Sequence, residues 1–238
     1  MGWPNNFVQG VYNALGSLIG VYDGAGGQIG LTPTYAWATK PLASAYTGRA
    51  FISDIGGGSI WISNGTRWYP ENRNLTLYTL PSEYSGTVGG NGVEGVVGQY
   101  LMPSGVLQNG DIIELYFTYY KTGANGTTCT HSLRMGTLGT PSDTFITACS
   151  TTAPGGATNI NSCFEAHIKR VNSTTVKRLG GGWSGGYNGV GTQAAGSNVT
   201  IANMDTNPIY ISYSTLISTL TGDTFTLSEF TVTLISGV

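Results

Sequence analysis

Twelve carboxylates, two histidines and three cysteines are the side chains of this 238-residue chain best suited to proton transfer or metal binding. Acid–base catalysis needs such groups in positioned pairs, so their surroundings come first. Five of the acids stand in turn sequences. Asp23 precedes Gly24, Asp111 follows Asn109-Gly110, Asp143 follows Pro141-Ser142, Asp205 precedes Thr206-Asn207-Pro208, and Asp223 follows Gly222. Short carboxylates at such places cap backbone N–H groups. Glu114 and Glu165 fall on the polar faces of strand-like runs. Asp54 and Glu71 are the best remaining pair for a sugar hydrolase, which needs two carboxylates across the glycosidic bond, but no local pattern calls for them.

The other chemistries fare no better. Gly56-Gly57-Gly58 lacks the Lys and the following helix of a phosphate cradle and reads as a turn. His131 and His167 lie far apart in sequence, and Cys129, Cys149 and Cys163 form no C-x-x-C pair. His131 shares strand parity with Leu133 and Met135, which suits a core or interface histidine. The expectation is a chain with no catalytic, cofactor-binding or metal-binding residues and no enzyme activity. An odd set of cysteines fits reduced thiols in a protein assembled inside a cell.

The elements that would position any site divide into three zones. In residues 1–45, Phe7, Val11, Leu15 and Leu18 recur at three- and four-residue spacing after Pro4-Asn5, which predicts a short helix weakened by Gly10 and Gly16. The rest of that zone reads as an extended arm held by a neighbour. Residues 46–80 read as a small β-meander, with strands near Ala50–Ile52, Ser59–Ser63 and Arg67–Tyr69. Asn64-Gly65 supplies a tight hairpin turn, Pro70 stops the pairing, and Phe51, Trp61 and Trp68 are the packing residues. A meander this small must lean on something else.

Residues 81–238 read as a jelly-roll-like antiparallel β-sandwich, giving an all-β fold class. Predicted strands run over 97–102, 111–121, 129–137, 143–149, 163–171, 174–179, 197–203, 207–213 and 223–235. In the last of these, Phe225 and Leu227 alternate in one parity and Phe230, Val232 and Leu234 in the other. The switch near Ser228-Glu229 predicts a bulge or a strand that crosses between sheets. The Gly-rich loop 179–196 carries Trp183 and Tyr187, which either fold back as a lid or subunit contact or stack on a sugar or protein surface.

Composition bounds the partners. Only 9% of residues are charged, against about 25% in an ordinary soluble domain. Surfaces so poor in charge suit contacts with other subunits, although a monomer coated in Thr, Ser and Asn has the same composition. Net charge is −2 with no basic run, which argues against direct nucleic-acid binding. The pairs Lys169-Arg170 and Lys177-Arg178 read as a solvated strand edge. No apolar run reaches the roughly 18 residues of a membrane span, and the N-terminal stretch lacks the basic region of a signal peptide.

The run AFISDIGGGSIWISNGTRWYPENRNLTL is similar to a segment that recurs in structural proteins of tailed bacteriophages. Its pattern, Ala-Phe-x-x-Asp-Ile-Gly and then Trp-x-Ser-x-Gly-Thr-x-Trp, is carried by Ala50, Phe51, Asp54, Ile55, Gly56, Trp61, Ser63, Gly65, Thr66 and Trp68. The following residues, to about 140, resemble the first strands of the sandwich that comes next in those proteins. The resemblance implies a virion protein, usually a homotrimer, of capsid-decoration (cement), head-fibre or tail-fibre type. It implies major capsid, tail or portal proteins as partners, assembly in the host cytoplasm, and no cofactor. In the fibre alternative the sandwich loops contact a host surface glycan. Residues 1–44 carry no resemblance and are the expected anchor, through Phe7, Val11, Leu15 and Leu18. A tailspike enzyme fits less well, because no fixed-period repeat is present.

Overall fold

The computed structural model describes residues 9–12, 18–22, 33–48, 50–86, 93–122, 128–152, 159–180, 183–184, 196, 198–217 and 224–237. The chain divides into two compact units, residues 1–71 and 72–238.

In the first unit, β1 (Gln9–Tyr12) and β2 (Leu18–Tyr22) pair antiparallel, with Val11 opposite Gly20 and Tyr12 opposite Leu18. This hairpin replaces the expected helix, so Val11 and Leu18 stand on two strands rather than one helical face. Glycines lower helix propensity while Val, Ile and Tyr favour the pleated state, and here that preference outweighs the spacing of the apolar residues. Phe7 and Leu15 lie outside the described residues.

A second sheet of the same unit has the order β3 (Thr34–Tyr35), β4 (Ala50–Ser53), β5 (Ile60–Ser63), β6 (Trp68–Pro70). The β5–β6 turn is longer than a two-residue hairpin. Ser63 faces Trp68, and the Asn64 side chain accepts the N–H groups of Thr66 and Arg67 at 3.0 Å each. Pro70 does not stop the pairing; it faces Trp61 as the last residue of β6. Residues 33–45 are no free arm. β3 pairs parallel with β4, and Trp37 is buried in a short 3-10 turn.

The second unit holds β7 (Asn74–Thr79), β8 (Tyr84–Gly86), β9 (Gly95–Met102), β10 (Ile112–Thr122), β11 (Thr128–Gly136) and β12 (Thr144–Thr152). It continues with β13 (Asn159–Asn172), β14 (Thr175–Gly180), β15 (Trp183–Ser184), β16 (Asn198–Thr200), β17 (Ile209–Ile217) and β18 (Thr224–Ile235). One sheet has the order β16-β14-β13-β10-β18-β7, with β15 beside β13 and β8 beside β18; the other has the order β12-β11-β17-β9. All their pairings are antiparallel. The two sheets form the expected sandwich. Residues 74–79, grouped with the meander by their sequence, pair with β18 instead.

The core follows from parity. Ile113, Leu115, Phe117 and Tyr119 of β10 and Phe164, Ala166 and Ile168 of β13 are buried, as are Ile209, Ile211 and Tyr213 of β17 in the opposite sheet. Phe117 stacks on Tyr213 at 4.3 Å between ring centres, and Tyr119 meets His131 at the same distance, so these rings join the layers. Glu229 faces Thr118 while Leu227 faces Tyr119, leaving Ser228 as the extra residue of a bulge. All five flanking apolar side chains of β18 are fully buried. Across from the bulge, a Cβ at Gly98 would stand 2.6 Å from Leu227 Cδ2 and 3.0 Å from Phe230 Cδ1, so a larger residue there requires those side chains to shift. Among the described residues no helix is long and apolar enough to cross a membrane.

Candidate functional site

The motif residues of the first unit build a closed aromatic cluster. Phe51 and Trp61 are 0% exposed and Trp68 3%, so none of the three is available to a ligand. Trp37 packs on Trp61 at 4.4 Å, and Phe51 meets Trp68 edge-on at 4.6 Å. Their polar edges are satisfied. Trp61 Nε1 donates to Ser59 Oγ at 2.9 Å, and Trp68 Nε1 to the Pro41 carbonyl at 2.9 Å. Ser63 Oγ donates to the Ala43 carbonyl at 2.6 Å. The support that this small meander requires is therefore residues 37–43. Lys40 lies over the Trp37 ring at 4.0 Å, and burial pushes its ammonium pKa down.

Asp54 spends its carboxylate structurally, accepting the Trp37 N–H at 2.8 Å and the Ser53 hydroxyl at 3.2 Å. Asp111 and Asp143 hold turns as their sequences suggest. Asp111 accepts the N–H groups of Gln108 and Gly237, and Asp143 those of Leu138, Gly139 and Thr140. Asp205 departs from that pattern. It accepts Arg170 Nη2 at 2.7 Å, and the buried guanidinium also donates to the Leu107 carbonyl. Asp23 and Asp223 lie outside the described residues. The basic pairs are not a solvated edge either. Strand alternation turns Arg170 and Arg178 into the interior and leaves Lys169 and Lys177 outside.

Of the loop residues, Trp183 has its backbone in β15, opposite Phe164; Tyr187 lies outside the described residues. His131 is inward as its parity suggests. Its Nδ1 is 2.9 Å from Thr215 Oγ1, and full burial pushes its imidazole pKa down to about 3.

Two arrangements were missed in the sequence. The first is a groove of about 330 Å³ between residues 78–83 and 96–99, lined by Tyr78, Leu80, Glu83, Val96 and Gln99 among others. At its side Tyr78 stacks on Tyr100 at 5.5 Å. The second lies on the outer face of the larger sheet, where Glu114, Glu165 and His167 bring three ligand-type atoms within 4.8 Å of one another. The E-x-H spacing of Glu165 and His167 is visible in the sequence. The third member comes from the register that sets Glu114 opposite His167, which no local pattern encodes.

No family model matches the chain, and no curated protein does. Solved structures that it is similar to include one of infectious bursal disease virus, Gt strain, at 10% identity and TM-score 0.32, covering 71% of this chain and 34% of that one. Another is the CBM2 module of the evolved Dit of Lactobacillus casei BL23 phage J-1, at 8% identity and TM-score 0.30, covering 65% of this chain and 76% of the module. The Emp46p carbohydrate recognition domain gives 11% identity and TM-score 0.32, over 75% of this chain and 86% of that domain. This chain thus spans about a third of the virus structure's length. Likenesses at such TM-scores carry no weight for function.

Proposed function

We infer that this chain is a structural component of a tailed-bacteriophage virion, a trimeric capsid decoration or cement protein docked through its N-terminal residues. The observation that carries this reading is the aromatic cluster. Three residues of the segment that resembles the phage proteins, Phe51, Trp61 and Trp68, are buried together in it beside Trp37. The shared pattern therefore encodes a folding module, and a resemblance that preserves a module is informative about the kind of protein. The small charge content supports it, since surfaces that meet other subunits need few charges. In this reading the protein is not an enzyme, and Asp111 and Asp143 spend their carboxylates on backbone N–H groups.

A second reading, a tail fibre or receptor-binding protein, draws on the groove beside Tyr78 and on the Gly-rich loop around Trp183. Saccharides commonly meet aromatic and polar side chains in such places. Copy number per particle, measured by quantitative mass spectrometry of purified virions, separates the two. Hundreds of copies spread over the head are expected for decoration. A few dozen confined to the tail would overturn it in favour of the receptor reading.

A further inference from the structure

The outer face of the larger sheet carries a donor set that neither the turn chemistry nor the core explains. β10 and β13 are long central neighbours, with Glu114 directly opposite His167. Glu165, two residues earlier on β13, projects to the same face. His167 Nε2 stands 3.4 Å from Glu114 Oε1 and 3.2 Å from Glu165 Oε1. The three side chains are 40%, 44% and 33% exposed for Glu114, Glu165 and His167, so solvent reaches the space between them.

A protonated His167 forms long ion pairs with both carboxylates at these distances, and the same spacing leaves room for a metal ion. Charge-assisted N–H···O bonds close to about 2.7–2.9 Å, and one ring nitrogen has one proton to give. Here a single Nε2 is shared between two carboxylates, and both approaches are longer than that. Ligands around a tetrahedral ion, with bonds of about 2.0–2.2 Å, stand roughly 3.3–3.6 Å apart. The 3.4 Å separation falls on that edge length and the 3.2 Å one lies just below it. The ligand atoms of the two carboxylates and of His167 all lie within 4.8 Å of one another, so one cation can reach all three donors. Strands fix such positions better than loops do.

We propose that Glu114, Glu165 and His167 bind a divalent transition-metal ion of the zinc class, with water completing the coordination. One nitrogen and two oxygen donors suit zinc, whereas Ca²⁺ and Mg²⁺ favour all-oxygen shells with more ligands. The bound ion would pin β10 to β13 at the middle of the sheet. This site is independent of the virion reading.

The test is calorimetric titration of the full-length, chelator-treated protein with ZnCl₂, paired with thermal unfolding. One equivalent should bind, and the Tm should rise by roughly 5–10 °C at about 100 times the Kd. His167→Ala and Glu165→Gln should each weaken zinc binding by at least about tenfold while leaving the metal-free Tm near that of the parent. Ca²⁺ and Mg²⁺ should bind far more weakly than zinc. A parent protein that binds zinc more weakly than about 1 mM would overturn the site. So would binding undiminished in His167→Ala, and equal affinity for Ca²⁺ would overturn its class. The parent titration decides the matter even where a variant folds poorly.

Discussion

His131 lies among Tyr119, Tyr213 and Phe225, with its ring nearly parallel to that of Tyr213 at 5.7 Å. A charge has no place there, which is why burial holds the folded-state pKa near 3 against about 6.5 in an unfolded chain. The unfolded chain takes up this proton first as pH falls. The contribution of His131 is therefore complete above about pH 6.5 and declines by up to about 1.4 kcal/mol per pH unit on the way down to 3. Urea unfolding at pH 7, 6 and 5 should show that slope, and His131→Gln should flatten it. An unchanged slope in the variant would contradict the assignment. Glu94 acts in a lower window. Burial raises its carboxyl pKa, but bonds from Arg134 and Ser214 outweigh burial and leave it lowered, so its stabilisation is lost only in more acid solution. The inward parity of His131 was legible in the sequence. The pairing of Asp205 with Arg170 was not, because it joins residues 35 positions apart through folded geometry.

At the scale of elements, the meander depends on a few large rings. Trp61 touches Trp37 and lies beside Phe51 in the register, and a Trp→Ala change at a core site removes roughly 3–5 kcal/mol. Trp61→Ala should therefore release hydrogen-exchange protection across β4, β5 and β6, while β10, β13 and β18 keep theirs. Equal loss in both units would show that they do not hold separate cores. The sandwich strands and their faces were readable because strict alternation in runs such as Ile113–Tyr119 survives folding unchanged. The hairpin β1–β2 was misread because apolar residues three and four apart mimic a helix where glycines make one unfavourable.

At the scale of the whole molecule, the structure limits how far the proposed anchor can extend. Trp37 and Ala43 belong to the meander core, so an anchor segment can extend no further than about residue 32. Deleting residues 1–32 should leave a protein whose β4–β6 amides stay protected in hydrogen exchange but which no longer binds particles in a cosedimentation assay. Normal particle binding would sink the anchor assignment. Deleting residues 1–44 instead removes Trp37 and should also loosen the meander. Architecture was legible at this scale from patterning and composition. The metal-type cluster was not, since it needs the pairing partner of β13 to be known.

The bulge at Ser228 has a consequence in the language of insertions and deletions. The last strand is read in two frames, one for Phe225 and Leu227 and another for Phe230, Val232 and Leu234, with a single residue as the join. Removing Ser228 would merge the frames, leaving Phe225, Leu227, Phe230, Val232 and Leu234 in strict alternation on the core face, whereas adding one residue elsewhere in the strand would turn one set of these side chains toward solvent. Single-residue length changes elsewhere in this strand should survive selection only as compensated pairs or as whole turns of the pleat, whereas loss of Ser228 itself should leave every core side chain facing inward.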